Sequence, residues 1–123
     1  MSIDRLNQHL TGKRSPVQGN NLDLLITVYQ EDGVTPFDLT DADEVEWHLV
    51  DENFGEEVIL LKTLLDGITI EGSFNEKAKI TLSPTDLELP PRVYTHELIV
   101  IGTGYKQTVS QGMFDLRDST FTD

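Results

Sequence analysis

Apolar and polar residues alternate over short stretches along most of the chain. Five such stretches place apolar residues two positions apart: Leu24, Ile26 and Val28; Val45, Trp47 and Leu49; Ile68 and Ile70; Ala78, Ile80 and Leu82; and Leu98 and Val100, preceded by Tyr94 and His96. Because the side chains of a strand point alternately to its two faces, this period of two predicts strands with one face turned towards a core. Residues 57–65 are apolar at consecutive positions for part of their length, which favours a strand central to its sheet.

Turn-forming residues separate these stretches. Glycine, proline, asparagine and aspartate are concentrated at residues 31–36, 51–56, 66–67, 72–77 and 102–104. The last of these predicts a hairpin in which residues 105–116 pair with the strand before them. About seven short strands with turns between them are typical of an all-β sandwich or small barrel.

One short helical turn is expected between the fifth and sixth predicted strands. Ser83 can cap it, Pro84 suits the first helical position, and Asp86 favours the positive end of a helix. Pro90 and Pro91 should end it.

The ends of the chain differ from its middle. Residues 1–20 contain three basic residues and one acidic residue, whereas the other residues contain six basic and 21 acidic ones. We therefore predict an extended N-terminal arm over residues 1–20, a sandwich domain over residues 21–118 and a C-terminal tail over residues 119–123. A basic arm on an acidic body can dock on neighbouring subunits, and the same composition is equally compatible with a plain flexible tail. The candidate partner-binding residues are Arg5, Leu6, Leu10, Lys13 and Arg14.

Composition narrows the classes of function. The net charge of −13 repels phosphate backbones, so nucleic acid is not an expected partner. The chain has no cysteine, so packing must hold the fold without disulfides. Its apolar runs are too short to cross a bilayer, so no membrane association is expected. The N-terminus does not read as a secretory signal, which favours synthesis in a cytoplasm.

No motif for catalysis or for a cofactor is evident. His9, His48 and His96 fall on different predicted elements without a second ligand at zinc spacing, although His48 and His96 could meet across a sheet. The acidic stretch Asp38, Asp41, Asp43 and Glu44 is the best candidate for calcium, but it lacks the register of a calcium-binding loop. We therefore predict no enzyme activity, no cofactor and no metal site, with calcium at this stretch left open.

Three sequence stretches occur in a recognisable order: 35–40 (TPFDLT), 80–87 (ITLSPTDL) and 89–94 (LPPRVY). Together they resemble the immunoglobulin-like domains of tailed-bacteriophage virion proteins, similar to the N-terminal domain of baseplate upper proteins. Arg92 stands where that family usually has glycine. The resemblance covers residues 22–116 and implies an immunoglobulin-like antiparallel β-sandwich with a structural, non-enzymatic role. It also implies that many copies assemble in a phage particle, after synthesis in the host cytoplasm.

The leading hypothesis is an accessory or decoration subunit that docks on capsid or tail proteins through its arm and its sandwich surface. Head, neck, tail and baseplate remain open as its position. The alternative is a carbohydrate or host-receptor binding module of a tail or baseplate, which predicts exposed aromatic rings beside acidic residues at one end of the sandwich. A small hydrolase would need a cleft where histidine and carboxylate side chains converge.

Overall fold

The computed structural model describes residues 6–7, 9–11, 15–51 and 57–118, with the backbone alone at residues 6 and 7. Within these residues the chain is all-β, with eight strands and a single 3₁₀ turn, Leu39–Asp41. The strands are β1 (Leu6–Asn7), β2 (Leu22–Thr27), β3 (Glu44–Asp51), β4 (Glu57–Leu64), β5 (Gly67–Glu71), β6 (Lys77–Leu82), β7 (Val93–Gly102) and β8 (Tyr105–Asp115). The all-β prediction is confirmed, and β2 to β8 correspond to the seven predicted strands.

The strands form one curled sheet in the order β1-β8-β7-β3-β4-β5-β6-β2. The sheet is mixed, because β1 runs parallel to β8 and β4 runs parallel to β5, whereas the other neighbours are antiparallel. Only two residue pairs join β4 to β5. The chain turns a corner there, and both sides of that corner contribute to a shared apolar core in a sandwich-like arrangement.

Trp47 lies fully buried in this core, midway along β3. Its ring is 6.0 Å from the ring of Phe114 and 6.1 Å from that of His96, measured between centroids. The indole Nε1 donates a hydrogen bond to His96 Nδ1 at 3.3 Å, which satisfies a donor that would be costly to bury alone. The alternation around Trp47 therefore corresponds to burial, as predicted, because Val45 and Leu49 are also buried in the core.

The entry to β7 is held by two polar contacts. The Tyr94 hydroxyl donates to the carbonyl oxygen of Pro90 at 2.5 Å, and the Arg92 guanidinium lies 3.2 Å from the buried carboxylate of Asp51. Burial raises the pKa of Tyr94; the positive charge of Arg92 opposes this rise and the negative charge of Asp51 adds to it. These contacts fix the chain where it passes from residue 90 into β7.

The segment after β6, where a short helical turn was predicted, forms consecutive turns over residues 84–87 and no helix. Leu87 N–H donates to Pro84 O and Glu88 N–H donates to Thr85 O, which are bonds three residues apart. The Ser83 and Asp86 side chains each accept a hydrogen bond from the other residue's backbone N–H, as in a capping box. The capping signal was correct, but the segment ends after one turn with Leu87 buried, and the 3₁₀ turn lies instead at Leu39–Asp41.

The described part of the predicted arm belongs to the fold. Leu6 and Asn7 pair with Ser110 and Gln111 of β8. Leu10 donates its N–H to Met113 O, accepts from Asp115 N–H, and lies in the core with 6% of its surface exposed. These residues cover the outer edge of β8 and do not extend away from the sandwich.

Several predictions concern residues that lie outside the described part of the chain. Arg5, Lys13 and Arg14 lie outside the described residues, as does the predicted tail over residues 119–123. The docking role assigned to the three basic side chains stays a prediction.

Strand β4 lies between β3 and β5 in the sheet order, as its predicted central position requires, but most of one of its edges is unpaired among the described residues. It pairs with β3 along its length but with β5 only at Thr63 and Leu64. No described strand lies beside the outer edge of residues 57–62. Its consecutive apolar residues are half-exposed, including Val58 and Leu61. The apolar run therefore marks an uncovered edge and not a strand buried on both faces.

Candidate functional site

An apolar groove lies between the 3₁₀ turn and the corner at which β4 passes into β5. It encloses about 470 Å³. Its lining residues are mostly aliphatic: Leu39, Thr40, Ala42, Leu64, Leu65, Ile68, Thr69 and Ile70. A groove of this size lies within the range that binds small molecules or the side chains of another protein. We refer to these eight residues as the corner groove.

The corner owes its shape to a tight turn at Leu65. Thr63 and Asp66 each donate a backbone N–H to the other's carbonyl oxygen, and Leu65 N–H donates to Ile68 O. These bonds hold Leu65 at a φ of 64°, in the left-handed region that disfavours residues with a β-carbon. The side chain is 96% exposed, so burial does not offset this cost. A large apolar residue in a strained, exposed position is a candidate for function.

The opposite wall of the groove is fixed by the cap of the 3₁₀ turn. Asp38 Oδ1 accepts hydrogen bonds from the backbone N–H of Thr40 at 2.9 Å and from its hydroxyl at 2.5 Å. The hydroxyl bond, followed by the backbone bond, holds the pKa of Asp38 below its ordinary value. Leu39 N–H donates to Asn75 O, and the Leu39 side chain is buried. This wall is therefore anchored to the core.

Acidic residues adjoin the lining of the corner groove in sequence, and we refer to them as its rim. Residues 38–44 and 63–71 contain six acidic residues and no lysine or arginine. Lys62 is the cation nearest in sequence to the corner, and its ammonium lies 2.9 Å from the Asp86 carboxylate. Within the part of the chain that the structure describes, Asp41, Asp43 and Asp66 form no ion pair with a basic side chain.

The acidic stretch predicted as a calcium candidate has separate local roles. Asp38 caps the 3₁₀ turn, and Asp43 accepts a hydrogen bond from the Thr103 hydroxyl at 3.4 Å. Glu44 Oε1 accepts from the backbone N–H groups of Val45 and Leu64 at 3.0 and 2.9 Å. Across residues 9–11, 15–51 and 57–118, no three histidine, aspartate or glutamate side chains converge in a group suited to a metal ion.

The three histidines do not meet. His48 and His96 occupy neighbouring strands but point to opposite faces, because His96 pairs with Leu49 and His48 pairs with Glu97. His96 is fully buried against Trp47, whereas His48 lies 3.1 Å from Glu46 and 3.7 Å from Glu97 on the outer face. His9 Nδ1 accepts the backbone N–H of Met113. The possible pairing of His48 with His96 across the sheet is wrong.

The aromatic side chains are mostly in the core. Phe37, Tyr94 and Phe114 are buried together with Trp47. Phe74 is the single aromatic ring in the exposed class among the described residues, since Tyr29 and Tyr105 are part-buried. The cluster of exposed rings that a carbohydrate site predicts is therefore not formed by the described aromatics.

Leu65 was not singled out from the sequence. The sequence pattern makes it the last residue of the apolar stretch 57–65, and this pattern does not distinguish its environment from that of its neighbours. The signal that could have identified it is the pair Asp66-Gly67 immediately after it. A turn at that pair places the preceding leucine outside the regular strand.

Comparison with known proteins gives no assignment: neither a protein-family model nor a curated protein sequence matches this chain. Among the described residues, no helix has the length and apolar character required to cross a membrane.

Proposed function

We propose that this chain is a non-enzymatic structural protein of a tailed-bacteriophage particle. In this proposal it has an immunoglobulin-like architecture and acts as an accessory or decoration subunit on neighbouring capsid or tail proteins. The support comes from the arrangement of the strands, from one constellation in the core and from the roles of the residues behind the family resemblance.

The strand order is compatible with an immunoglobulin-like sandwich. If β2 to β8 are taken as strands B, C, C′, D, E, F and G, the sheet order separates at the corner into G-F-C-C′ and D-E-B. Immunoglobulin domains divide their strands between two sheets in the same way. The weak connection between β4 and β5, limited to two residue pairs, coincides with the boundary between these groups.

The constellation around Trp47 is the observation that carries the architectural proposal. Immunoglobulin domains have a buried tryptophan on strand C and a tyrosine near the start of strand F whose hydroxyl bonds to the backbone a few residues upstream. Trp47 on β3 and Tyr94, which donates to Pro90 O, occupy these positions. His96 lies two residues after Tyr94, where antibody domains have a cysteine, and it contacts the tryptophan.

The residues behind the family resemblance have structural roles. Asp38 of the first stretch caps the 3₁₀ turn, and Ser83 and Asp86 of the second close the turn after β6. Pro90 and Tyr94 of the third form the contact at the entry to β7. These roles support a shared fold, and the virion role rests on the resemblance itself.

A docking role is also compatible with the surface. The exposed, strained Leu65 and the uncovered edge of β4 are features of a surface that binds another protein.

Protein analysis of particles tests the proposed function. Particles of the phage that encodes the chain would be purified on a density gradient and their proteins quantified by mass spectrometry. We expect the chain at many copies per particle, and a cryo-electron microscopy map should place it on neighbouring subunits. Its absence from purified particles would refute the proposal, and binding to a glycan array would favour the carbohydrate or receptor alternative.

A further inference from the structure

We propose that the corner groove binds an extended segment of a neighbouring protein in which apolar side chains are flanked by lysine or arginine. This inference rests on the proposed docking function and names the surface and the chemistry of its partner. It follows from the shape of the groove, the charge of its rim and the free edge beside it.

The apolar part of the partner follows from the lining. Leu39, Leu64, Ile68 and Ile70 form the walls and floor, and Leu65 projects beside them. An exposed leucine at positive φ weakens the isolated fold and exposes apolar surface to water. Partner side chains that cover Leu65 and fill the groove would remove that surface from water.

The basic part of the partner follows from the rim. Asp41, Asp43 and Asp66 surround the lining residues in sequence and have no ion pair among the described side chains. Lys62 is held by Asp86, so its charge is already neutralised. Lysine or arginine side chains on either side of an apolar anchor would complement the rim and speed association.

The extended form of the partner follows from the edge of β4. Thr63 and Leu65 point their backbone N–H groups away from β3, because they donate to Asp66 O and Ile68 O. Leu61 lies two residues earlier on the same strand, so its N–H points to that edge as well. No described strand lies there, and a partner segment running along β4 would accept this bond, as in β-strand addition.

A second copy of this chain is a less suitable occupant. Each copy carries a net charge of −13, so the surfaces of two copies repel each other. The described basic residues outside the groove are few, and Lys62, Lys79, Arg92 and Arg117 each lie within ion-pairing distance of an acidic side chain of their own chain. A partner with unpaired cations fits the rim better.

A peptide-binding experiment tests the inference on the full chain. The probe is a fluorescein-labelled synthetic peptide with leucines at alternate positions and lysines at both ends, compared with the same peptide carrying glutamates at both ends. Fluorescence anisotropy should show at least about tenfold tighter binding of the lysine peptide, which corresponds to about 1.4 kcal/mol. Leu65→Ser should weaken its binding at least about tenfold.

Val34→Ser is the matched control, because Val34 is also a largely exposed apolar residue outside the strands. It should leave peptide binding unchanged. In methyl-detected NMR spectra, the lysine peptide should shift the signals of Leu39, Ile68 and Ile70. Both variants should melt near the wild-type temperature, since neither side chain is buried.

Four outcomes would overturn the inference: no binding of the lysine peptide, equal binding of both peptides, equal effects of Leu65→Ser and Val34→Ser, or concentration-dependent self-association that Leu65→Ser abolishes. The last would make a second copy the occupant. Particle analysis separates this failure from that of the proposed function. Wild-type chain absent from particles refutes the proposed function, whereas Leu65→Ser chain present at wild-type copy number refutes the corner groove alone.

Discussion

Within the curled sheet, the two outer edges of the strand group β8-β7-β3-β4 differ. At one end the N-terminal residues lie along β8 and bury Leu10 in the core. At the other end, no described strand pairs with the second edge of β4 over residues 57–62, and Leu65 at the adjacent corner is exposed. An uncovered strand edge invites pairing with other chains, and proteins usually protect it. This chain covers one edge with its own residues and leaves the other open.

The two edges differ in what they contribute: the covered edge stabilises the fold, and the open edge is available for binding. The covered edge gains backbone hydrogen bonds and buried apolar surface, both of which stabilise the native state. The open edge has a strained leucine that contributes little to stability. We therefore expect substitutions at the covered edge to change the free energy of unfolding, and substitutions at the corner to change binding.

Replacing Trp47 by alanine tests whether both edges belong to one cooperative unit. Trp47 is fully buried between them, so Trp47→Ala should lower the free energy of unfolding by about 3 to 5 kcal/mol. Because Trp47 is the one tryptophan, urea unfolding must be followed by circular dichroism and not by tryptophan fluorescence. Trp47→Phe should cost less. An unchanged urea midpoint for Trp47→Ala would place this residue outside the core.

Leu10→Ala tests the covered edge directly. The side chain is 6% exposed within the core cluster, so its truncation should cost about 2 to 3 kcal/mol. Val34→Ala, at a largely exposed position, should cost less than about 0.5 kcal/mol. If both variants have the wild-type urea midpoint, the N-terminal residues do not pack on β8 and would again be available as an arm. Deletion of residues 1–20 is a poor test of such an arm, because it also removes this core residue.

Tyr94→Phe tests the polar contact at the start of β7, which anchors the covered half of the sheet. The change removes only the hydroxyl that donates to Pro90 O, and the lost hydrogen bond should cost about 1 kcal/mol. The measurement is urea unfolding at neutral pH, where the raised pKa keeps the wild-type hydroxyl protonated. Tyr29→Phe, on a part-buried tyrosine that takes no part in this contact, is the control. Equal stability of wild type and Tyr94→Phe would show that the hydrogen bond from Tyr94 to Pro90 O contributes nothing to the free energy of unfolding.

Asp86 gives a pH-dependent test near the open edge, because it binds Lys62 beside the corner. Burial alone would raise the pKa of Asp86, but hydrogen bonds from Ser83 and the hydrogen bond and charge of Lys62 outweigh burial and lower it. A lowered folded-state pKa gives stability that is complete above the unfolded value of about 3.9 and is lost as the pH falls through the folded value.

Asp86→Asn should therefore lower the free energy of unfolding by about 0.5 to 1 kcal/mol at pH 7, with the difference vanishing near pH 2. Urea unfolding at the two pH values measures it. Asp41→Asn, at an exposed aspartate with no ion pair among the described side chains, is the matched control. A cost for Asp86→Asn that stays the same at both pH values would assign the effect to shape and not to charge.

The sequence predicted the elements with local signals and missed those that depend on distant partners. Alternation around Trp47 identified a strand and its buried face, because burial on one face imposes a period of two. The extended arm does not describe Leu6, Asn7 and Leu10, because these residues pair with β8, which lies about 100 residues away in sequence. No local pattern reports such a pairing.

The corner was missed for a different reason. A run of apolar residues has the same composition whether both edges of its strand are paired or one is open, so the sequence does not show that residues 57–62 have one described neighbour only. Their position depends on which strand pairs with their second edge, and that is a property of the whole topology. The groove likewise joins Leu39 to Ile68, residues that share no sequence motif.

The smallest expected effect on stability is at the open corner itself. Leu65→Gly removes the β-carbon that disfavours a φ of 64°, which relieves about 1 to 2 kcal/mol, but glycine also gains about 0.5 to 1 kcal/mol of freedom in the unfolded chain. The net expectation is a protein more stable by about 0.5 kcal/mol, measured by urea unfolding. Asn75→Gly, at the other described non-glycine residue with positive φ, should gain less, because asparagine tolerates this region better than leucine.

The comparison between the edges is sharpest if this stabilised variant binds less well. Removal of a residue retained for stability would lower the free energy of unfolding. Removal of a residue retained for docking would leave a more stable protein that no longer binds its partner. Leu65→Gly should therefore combine a higher urea midpoint with weaker binding of the lysine peptide, and Val34→Ser should keep full binding. A lower urea midpoint for Leu65→Gly would instead mean that the leucine stabilises the corner, and the open edge would then resemble the covered one.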